Sequence, residues 1–439
     1  MSASAEPTPL IERFTRAVRD RDADALRAMR PRRAELLTIV NEPLFAFDSP
    51  ALVAVAEHGD VGVIDALLDL GGDPNRRSAW WAGGFHPLHL ALGGVAERLL
   101  AAGAIPDACA AARLDRTDLL ASMLAADRSL ALERGGDGQT PLHFARSRAV
   151  VDLLLDAGAD PDAVDVDHRS TPAQWMLGGA DDSNTSRLTI ARYLVERGAR
   201  VDIFLSAALG LTDRVRAMLQ ANAALLDQRT GQGDYGERPP SSYHIYLWTI
   251  GPNLTPLQTA AQFRQGQTVE FMRQFASAEQ RLMLACHEGN SRDARAIVAS
   301  EPGIVERLGP DDRRALTDAA WRANAPAVDL MLELGFDPSV VSTTGATGGT
   351  ALHCAAWEGS VECVTAILRF PAGRALVHVL DASFHGTPLG WCCHGSLNCG
   401  RSGANHAEVA RLLIAGGARA TDGMRAASEP VRNVIDALT

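Results

Sequence analysis

Histidines next to carboxylates are the first chemistry this sequence offers. Asp167 precedes His168, His287 precedes Glu288 and Glu57 precedes His58, while Asp165, His244 and His385 lie in polar stretches just ahead of apolar ones. An imidazole titrates near neutrality and a neighbouring carboxylate tunes it, so such pairs suit general acid–base catalysis. The candidate catalytic set is Asp167, His168, His287, Glu288 and His385. Seven tryptophans supply a second kind of chemistry, because an indole joins a large apolar face to one hydrogen-bond donor and is enriched in binding hot spots. The candidate binding set is Trp80, Trp81, Trp175, Trp248, Trp321, Trp357 and Trp391, with Tyr243, His244, Tyr246 and Glu358.

The elements that must position these residues are repeated. A short start phrase recurs as HPLH from His86, TPLH from Thr140, TPAQ from Thr171, TPLQ from Thr255, TALH from Thr350 and TPLG from Thr387. A closing phrase recurs as LLDLGGDPN from Leu67, LLAAGAIPD from Leu99, LLLDAGAD from Leu153, LVERGARVD from Leu194, MLELGFDPS from Met331 and LLIAGGARA from Leu412. Thr is a good N-cap, Pro fits the first helical turn because its missing N–H would be unpaired there, and Gly supplies a left-handed C-cap. Each unit therefore reads helix, turn, helix, finger. Weaker units start near Asp107, Ile203, Arg281 and Arg313, and a first full unit near Ser49.

These phrases resemble the ankyrin repeat. The resemblance implies an all-α solenoid of about eleven helix-turn-helix units covering nearly the whole chain. Residues 1–48 are expected to form an N-terminal helical cap, 49–420 the array, and 421–439 C-terminal capping helices. Two segments are too long for ordinary fingers: an insertion at about 228–253 and a loop at about 395–405. Tyr235, Tyr243 and Tyr246 fall in the insertion, whose second half, SSYHIYLWTI, alternates polar and apolar residues and predicts an extended arm over the repeats.

In ankyrin repeats the contact positions follow the start phrase and the paired alanines of the first helix, and occupy the fingers. Trp175 and Trp391 follow start phrases, Trp321 and Trp357 follow Ala-Ala pairs, and Trp80, Trp81 and Trp248 lead into start phrases. The resemblance thus places the aromatic and acid–base residues on one concave face. It assigns His89, His143 and His353, at the fourth place of the start phrase, a structural role.

Other motifs are weaker. The run Gly390–His406 holds Cys392, Cys393, Cys399, His394 and His406, but Cys392 and Cys393 stand where the paired alanines usually do, and adjacent helical residues diverge by about 100°. The Gly-rich stretch Thr343–Thr350 lacks a phosphate-loop lysine. No metal and no cofactor is expected.

Composition narrows the function classes. A net charge of −11 with scattered arginines disfavours nucleic acid and anionic membrane. No apolar run approaches the roughly 18 residues of a membrane span, no signal region opens the chain, and the seven cysteines, an odd number with four in apolar helix patterns, read as reduced thiols, so the expected location is cytoplasmic. The expected function is an ankyrin-repeat binding protein that holds a partner in an aromatic-rich concave groove. The alternative is a metal-independent isomerase, cyclase or dehydratase acting on a small, largely apolar molecule in a pocket closed by the insertion.

Overall fold

A computed structural model describes residues 9–57, 60–178, 184–231, 243–342 and 348–438. His58 and Tyr235 lie outside the described residues, as does most of the Gly-rich stretch. Helices account for the regular structure, and among the described residues the sole strand-like pairing is a bridge between Phe45 and Ser49. Among the same residues, eleven helix pairs follow one another, from Ala51–Ala56 with Val61–Asp69 to Pro388–Asn398 with His406–Ala415.

The chain forms two compact units. The first comprises residues 1–201 and 233–245, the second 202–232 and 246–439. Leu52, Ile64, Leu67, Leu88 and Leu99 fill a continuous core in the first, beginning at Phe14 of the helix Leu10–Arg19. In the second, Leu282, Leu316, Leu352, Ile367, Leu389 and Val409 do the same, and the final helix Glu429–Leu438 closes it with Val431, Val434 and Ile435.

The start phrase works by reciprocal capping. Thr255 Oγ1 accepts from the Gln258 amide (3.2 Å) and Gln258 Oε1 accepts from the Thr255 amide (2.9 Å), which pairs two otherwise orphaned donors. His143 does the same with Nδ1, accepting from the Thr140 amide (3.0 Å). Its proton therefore sits on Nε2, which donates to the Ser170 carbonyl (3.1 Å) at the mouth of the next repeat. His353 reaches Gly386 in the same way (3.1 Å), and Gln258 Nε2 reaches the Met283 carbonyl (3.2 Å). His89 differs, meeting the Asp107 carboxylate at 2.8 Å. The fourth residue of the phrase thus ties neighbouring repeats together.

Three helix pairs are entered without a finger: Ala108–Ala126, reached by a short connection after Ala101, Ile203–Ala221, reached by one of the same length after Glu196, and Ala278–Ser300, reached soon after Arg273. At the first and the last of these, the preceding finger reaches past the short repeat to the one beyond. Trp80 Nε1 donates to Asp137 (3.0 Å), 57 residues away. In the second unit, Asn253 Nδ2 donates to Asp318 (2.8 Å), Arg322 donates to the Pro252 carbonyl (2.8 Å) and Arg229 meets Asp312 (2.6 Å).

The arm expected to be extended is helical where it is described. Tyr243–Ile245 forms a 3₁₀ turn and Tyr246–Thr249 an α turn. Burial explains the error: Ile245, Tyr246 and Ile250 are all buried, a helical spacing and not an alternating one. The segment expected as a loop from 395 remains helical to Asn398, and the Asn405 amide then docks on the Gly359 carbonyl (2.9 Å).

Candidate functional site

The first unit gathers acid, base and indole at two successive fingers. Asp137 sits at the tip of one, in the left-handed region (φ 56°) that Asp tolerates better than most residues. Its carbonyl accepts from the Val166 and Asp167 amides (2.9 and 3.2 Å), so the two finger tips are clamped backbone to backbone. Gly138 makes that approach possible: a Cβ there would meet Val166 Cγ2 at 2.3 Å and the Ala82 carbonyl at 2.8 Å. In the second finger, buried Asp165 accepts from the Ser170 amide (2.6 Å), the His168 amide (3.1 Å) and His168 Nδ1 (3.3 Å). Asp167 lies 3.6 Å from the same nitrogen. The His168 ring stands edge-on to Trp175 (5.0 Å) and 6.4 Å from the His244 ring. One ligand atom each from Asp137, Asp167 and His168 lies within 4.8 Å of the others.

Electrostatics follow from that crowding. Burial, reinforced by Asp167 and Asp165 against the pull of His168, pushes Asp137 up to about 6. Burial alone would depress His168, but its hydrogen bond to Asp165 and the charges of Asp165, Asp167 and Asp137 outweigh it and hold the imidazole above its ordinary value. Burial, with His168 beside it, lowers His244. Trp80 Nε1 is spent on Asp137, whereas Trp175 Nε1 is buried without an acceptor.

The second unit carries an aromatic run on successive repeats. Trp321 ends the helix Ala315–Trp321 and Trp357 ends Ala351–Trp357; their rings stack at 6.3 Å and 7°. Both are half-buried. Trp391 meets Trp357 edge-on at 6.3 Å, and His394 lies 5.2 Å from the Trp357 ring. Next to this run, burial pushes the Glu358 carboxyl up to about 7, against the opposing charge of Arg401 at 3.7 Å and a Cys399 thiol contact at 3.7 Å.

Several expected site residues take other places. Tyr246 is fully buried, packs on Phe204 (5.3 Å) and donates its hydroxyl to Asp202 (2.6 Å); it is core, not contact surface, because the phenol finds both an apolar wall and an acceptor inside. Trp391 is only 8% exposed and belongs to the second unit's core, with its indole N–H given to Asp381 (2.9 Å). That bond pins the finger whose Ser383, Phe384 and Gly386 amides also donate to Asp381. His385 is an exposed finger residue with φ 54°. His287 is half-buried with Nδ1 lacking a partner, and burial drives it down to about 3, with Arg322 adding to the effect. Glu288 is exposed and borders a shallow cleft with Arg273, Arg281 and Asp293. Of the five acid–base candidates, Asp167 and His168 are the two placed in an ion-pair contact with each other. Trp81 (68%) and Trp248 (64%) are the most exposed of the indoles. Tyr243 and His244 are half-buried.

The sequence did not single out Asp137, which reads as an ordinary turn residue of a start phrase. Its signal is its distance from Asp167: thirty residues, about one repeat, puts both at the tips of consecutive fingers.

Helix pairs capped by such phrases and tied at their fourth residue define a repeat protein. The ankyrin repeat model matches residues 137–166 and 347–381, so the chain carries ankyrin repeats in both units. Over 118 residues it is 29% identical to leucine-rich repeat serine/threonine-protein kinase 1 of Caenorhabditis elegans, a match covering 27% of this chain and 5% of that protein. The chain thus spans a small fraction of the length of this relative. Among solved structures, the ankyrin repeat domain of Bcl-3 aligns with 54% of this chain and 98% of its own at 19% identity and a TM-score of 0.30. No helix among the described residues is long and apolar enough to cross a membrane.

Proposed function

We propose that the chain is a binding protein that holds a protein partner against the aromatic edge of its repeats, with Trp321 and Trp357 as anchors. The parallel stack of these two half-buried indoles on consecutive repeats carries the reading. The rings lie parallel with centres 6.3 Å apart and both stay partly exposed, an arrangement that keeps a large apolar surface rigid and costs little side-chain entropy on binding. A partner that covers the pair gains both the apolar area and the ring edges. Ankyrin repeats are protein-interaction scaffolds, which favours a polypeptide over a small molecule as the occupant.

The test compares the intact chain with Trp321→Ala and Trp357→Ala variants. Partners cross-linked in the native host are identified by mass spectrometry, and the purified partner is then titrated by calorimetry. Truncating a hot-spot Trp should cost about 2 kcal/mol, roughly a 30-fold rise in Kd. A partner that binds all three chains equally would refute the assignment of these anchors.

A further inference from the structure

The cluster at the finger tips of the first unit holds more negative charge than its surroundings neutralise. Asp137, Asp165 and Asp167 surround a single imidazole, His168. The nearby Arg134 guanidinium is spent on backbone, donating to the carbonyls of Gly138 (2.5 Å) and Val164 (2.6 Å). Asp165 is also committed, to two amides and to His168 Nδ1. Asp137 Oδ1 accepts from Trp80, which leaves Oδ2. Holding Nδ1–H on a carboxylate leaves His168 with a lone pair on Nε2, the arrangement by which an outer carboxylate orients a metal-ligating histidine and raises its basicity.

We propose that Asp137, Asp167 and His168 bind one divalent transition-metal ion of the Zn²⁺ type, with Asp165 as the positioning residue behind the histidine. Ligand atoms in a tetrahedral zinc set with bonds of about 2.0–2.1 Å stand about 3.4 Å apart. One His168 nitrogen and one carboxylate oxygen each from Asp137 and Asp167 lie within 4.8 Å of one another, so side-chain shifts of about an ångström close the set. The backbone beneath is already fixed: the Asp137 carbonyl is held by the Val166 and Asp167 amides, and Gly138 is wedged against Val166 and Ala82. One imidazole with two carboxylates suits Zn²⁺ or Mn²⁺, whereas Ca²⁺ prefers six to eight oxygens. Three protein ligands leave a position open for an oxygen ligand. Trp175 Nε1, buried without an acceptor beside His168, supplies a donor for such an oxygen. A second trio, His89, Asp107 and Cys109, is drawn together by the His89–Asp107 bond at 2.8 Å that joins two repeats; it serves as the internal control.

The experiment uses the full chain, stripped with a chelator under reducing conditions and titrated with Zn²⁺ by calorimetry, and with Co²⁺ by absorbance. One ion per chain is expected, with visible d–d bands and no thiolate charge-transfer band. Asp167→Asn and His168→Ala should each weaken Zn²⁺ binding at least 100-fold, and Asp165→Asn about 10- to 100-fold. Cys109→Ser should leave it unchanged. Circular dichroism melts of the metal-free chains verify folding, and Zn²⁺ should raise the Tm of the parent chain but not of the conservative Asp167→Asn variant. Failure of the parent chain to bind at 100 μM Zn²⁺, binding that survives in the Asp167→Asn and His168→Ala variants, or thiolate bands with Co²⁺ would each overturn the proposal.

Discussion

Glu358 makes the stability of the second unit depend on pH in a direction opposite to that of most carboxylates. Its side chain is 13% exposed, and burial raises it to about 7 against Arg401, which offers a partly compensating charge at 3.7 Å, and the thiol of Cys399. The same carboxylate adds to the rise of the buried Cys354 and Cys363 thiols, and His406 caps the adjoining Trp357 carbonyl (2.7 Å). In the unfolded chain the group returns to its ordinary value of 4.5. Between that value and about 7 the folded state holds more protons than the unfolded one, so stability is full below the unfolded value and is lost as pH rises through the folded value. At about 1.4 kcal/mol per pKa unit the ceiling is about 3 kcal/mol, and solvent screening of the partly exposed group reduces it to about 1–3 kcal/mol. A Glu358→Gln chain keeps the shape without the titration. Urea unfolding of both chains, followed by tryptophan fluorescence at pH 5, 6, 7 and 8, isolates the effect because every other titrating group is shared. Relative to the parent, the Glu358→Gln variant should gain about 1–3 kcal/mol between pH 5 and pH 8. A difference that stays constant, or that shifts in favour of the parent as pH rises, would refute the reasoning.

Three other outcomes follow from the geometry. His143→Leu leaves the Thr140 amide without its acceptor and takes one of two donors from the Ser170 carbonyl, which keeps the Asp165 amide; it should cost about 1–3 kcal/mol in urea unfolding, whereas His143→Gln, the side chain that already serves at Gln174 and Gln258, should restore most of it. Gly138→Ala forces a Cβ into Val166 at φ 68° and should lower stability by about 2 kcal/mol or more, read as a fall in Tm. His287, driven down to about 3 by burial, is neutral in the fold; below pH 6.5 the unfolded chain takes up its proton, so stability falls as pH drops toward the folded value. His287→Phe should flatten that loss in melts between pH 6.5 and 4, and an unchanged slope would count against the assignment.

The helix pairs were legible because their signals are local: a Thr-Pro start, a Gly stop and an apolar stripe each act within one unit. The indoles were harder, because sequence position says which face a residue starts from and not what it meets. Trp391 follows its start phrase as Trp175 does, yet finds Asp381 ten residues upstream and turns inward, while Trp175 retains a free N–H. Tyr246 was misread because the alternation of SSYHIYLWTI imitates a strand. Asp137 escaped notice because its companions lie one repeat away, and only the fold brings consecutive finger tips together.

The fingers that reach past a short repeat bear on how the protein folds. A pure solenoid has low contact order: each unit touches its neighbours, and opening can begin anywhere and spread. The Trp80–Asp137 bond, and the Asn253–Asp318 and Arg322–Pro252 bonds, join repeats that are not adjacent in sequence. Each encloses a fingerless helix pair, which can then open only with the repeats on both sides. The array should therefore exchange its amide protons in blocks of three repeats, one within each unit, instead of fraying pair by pair.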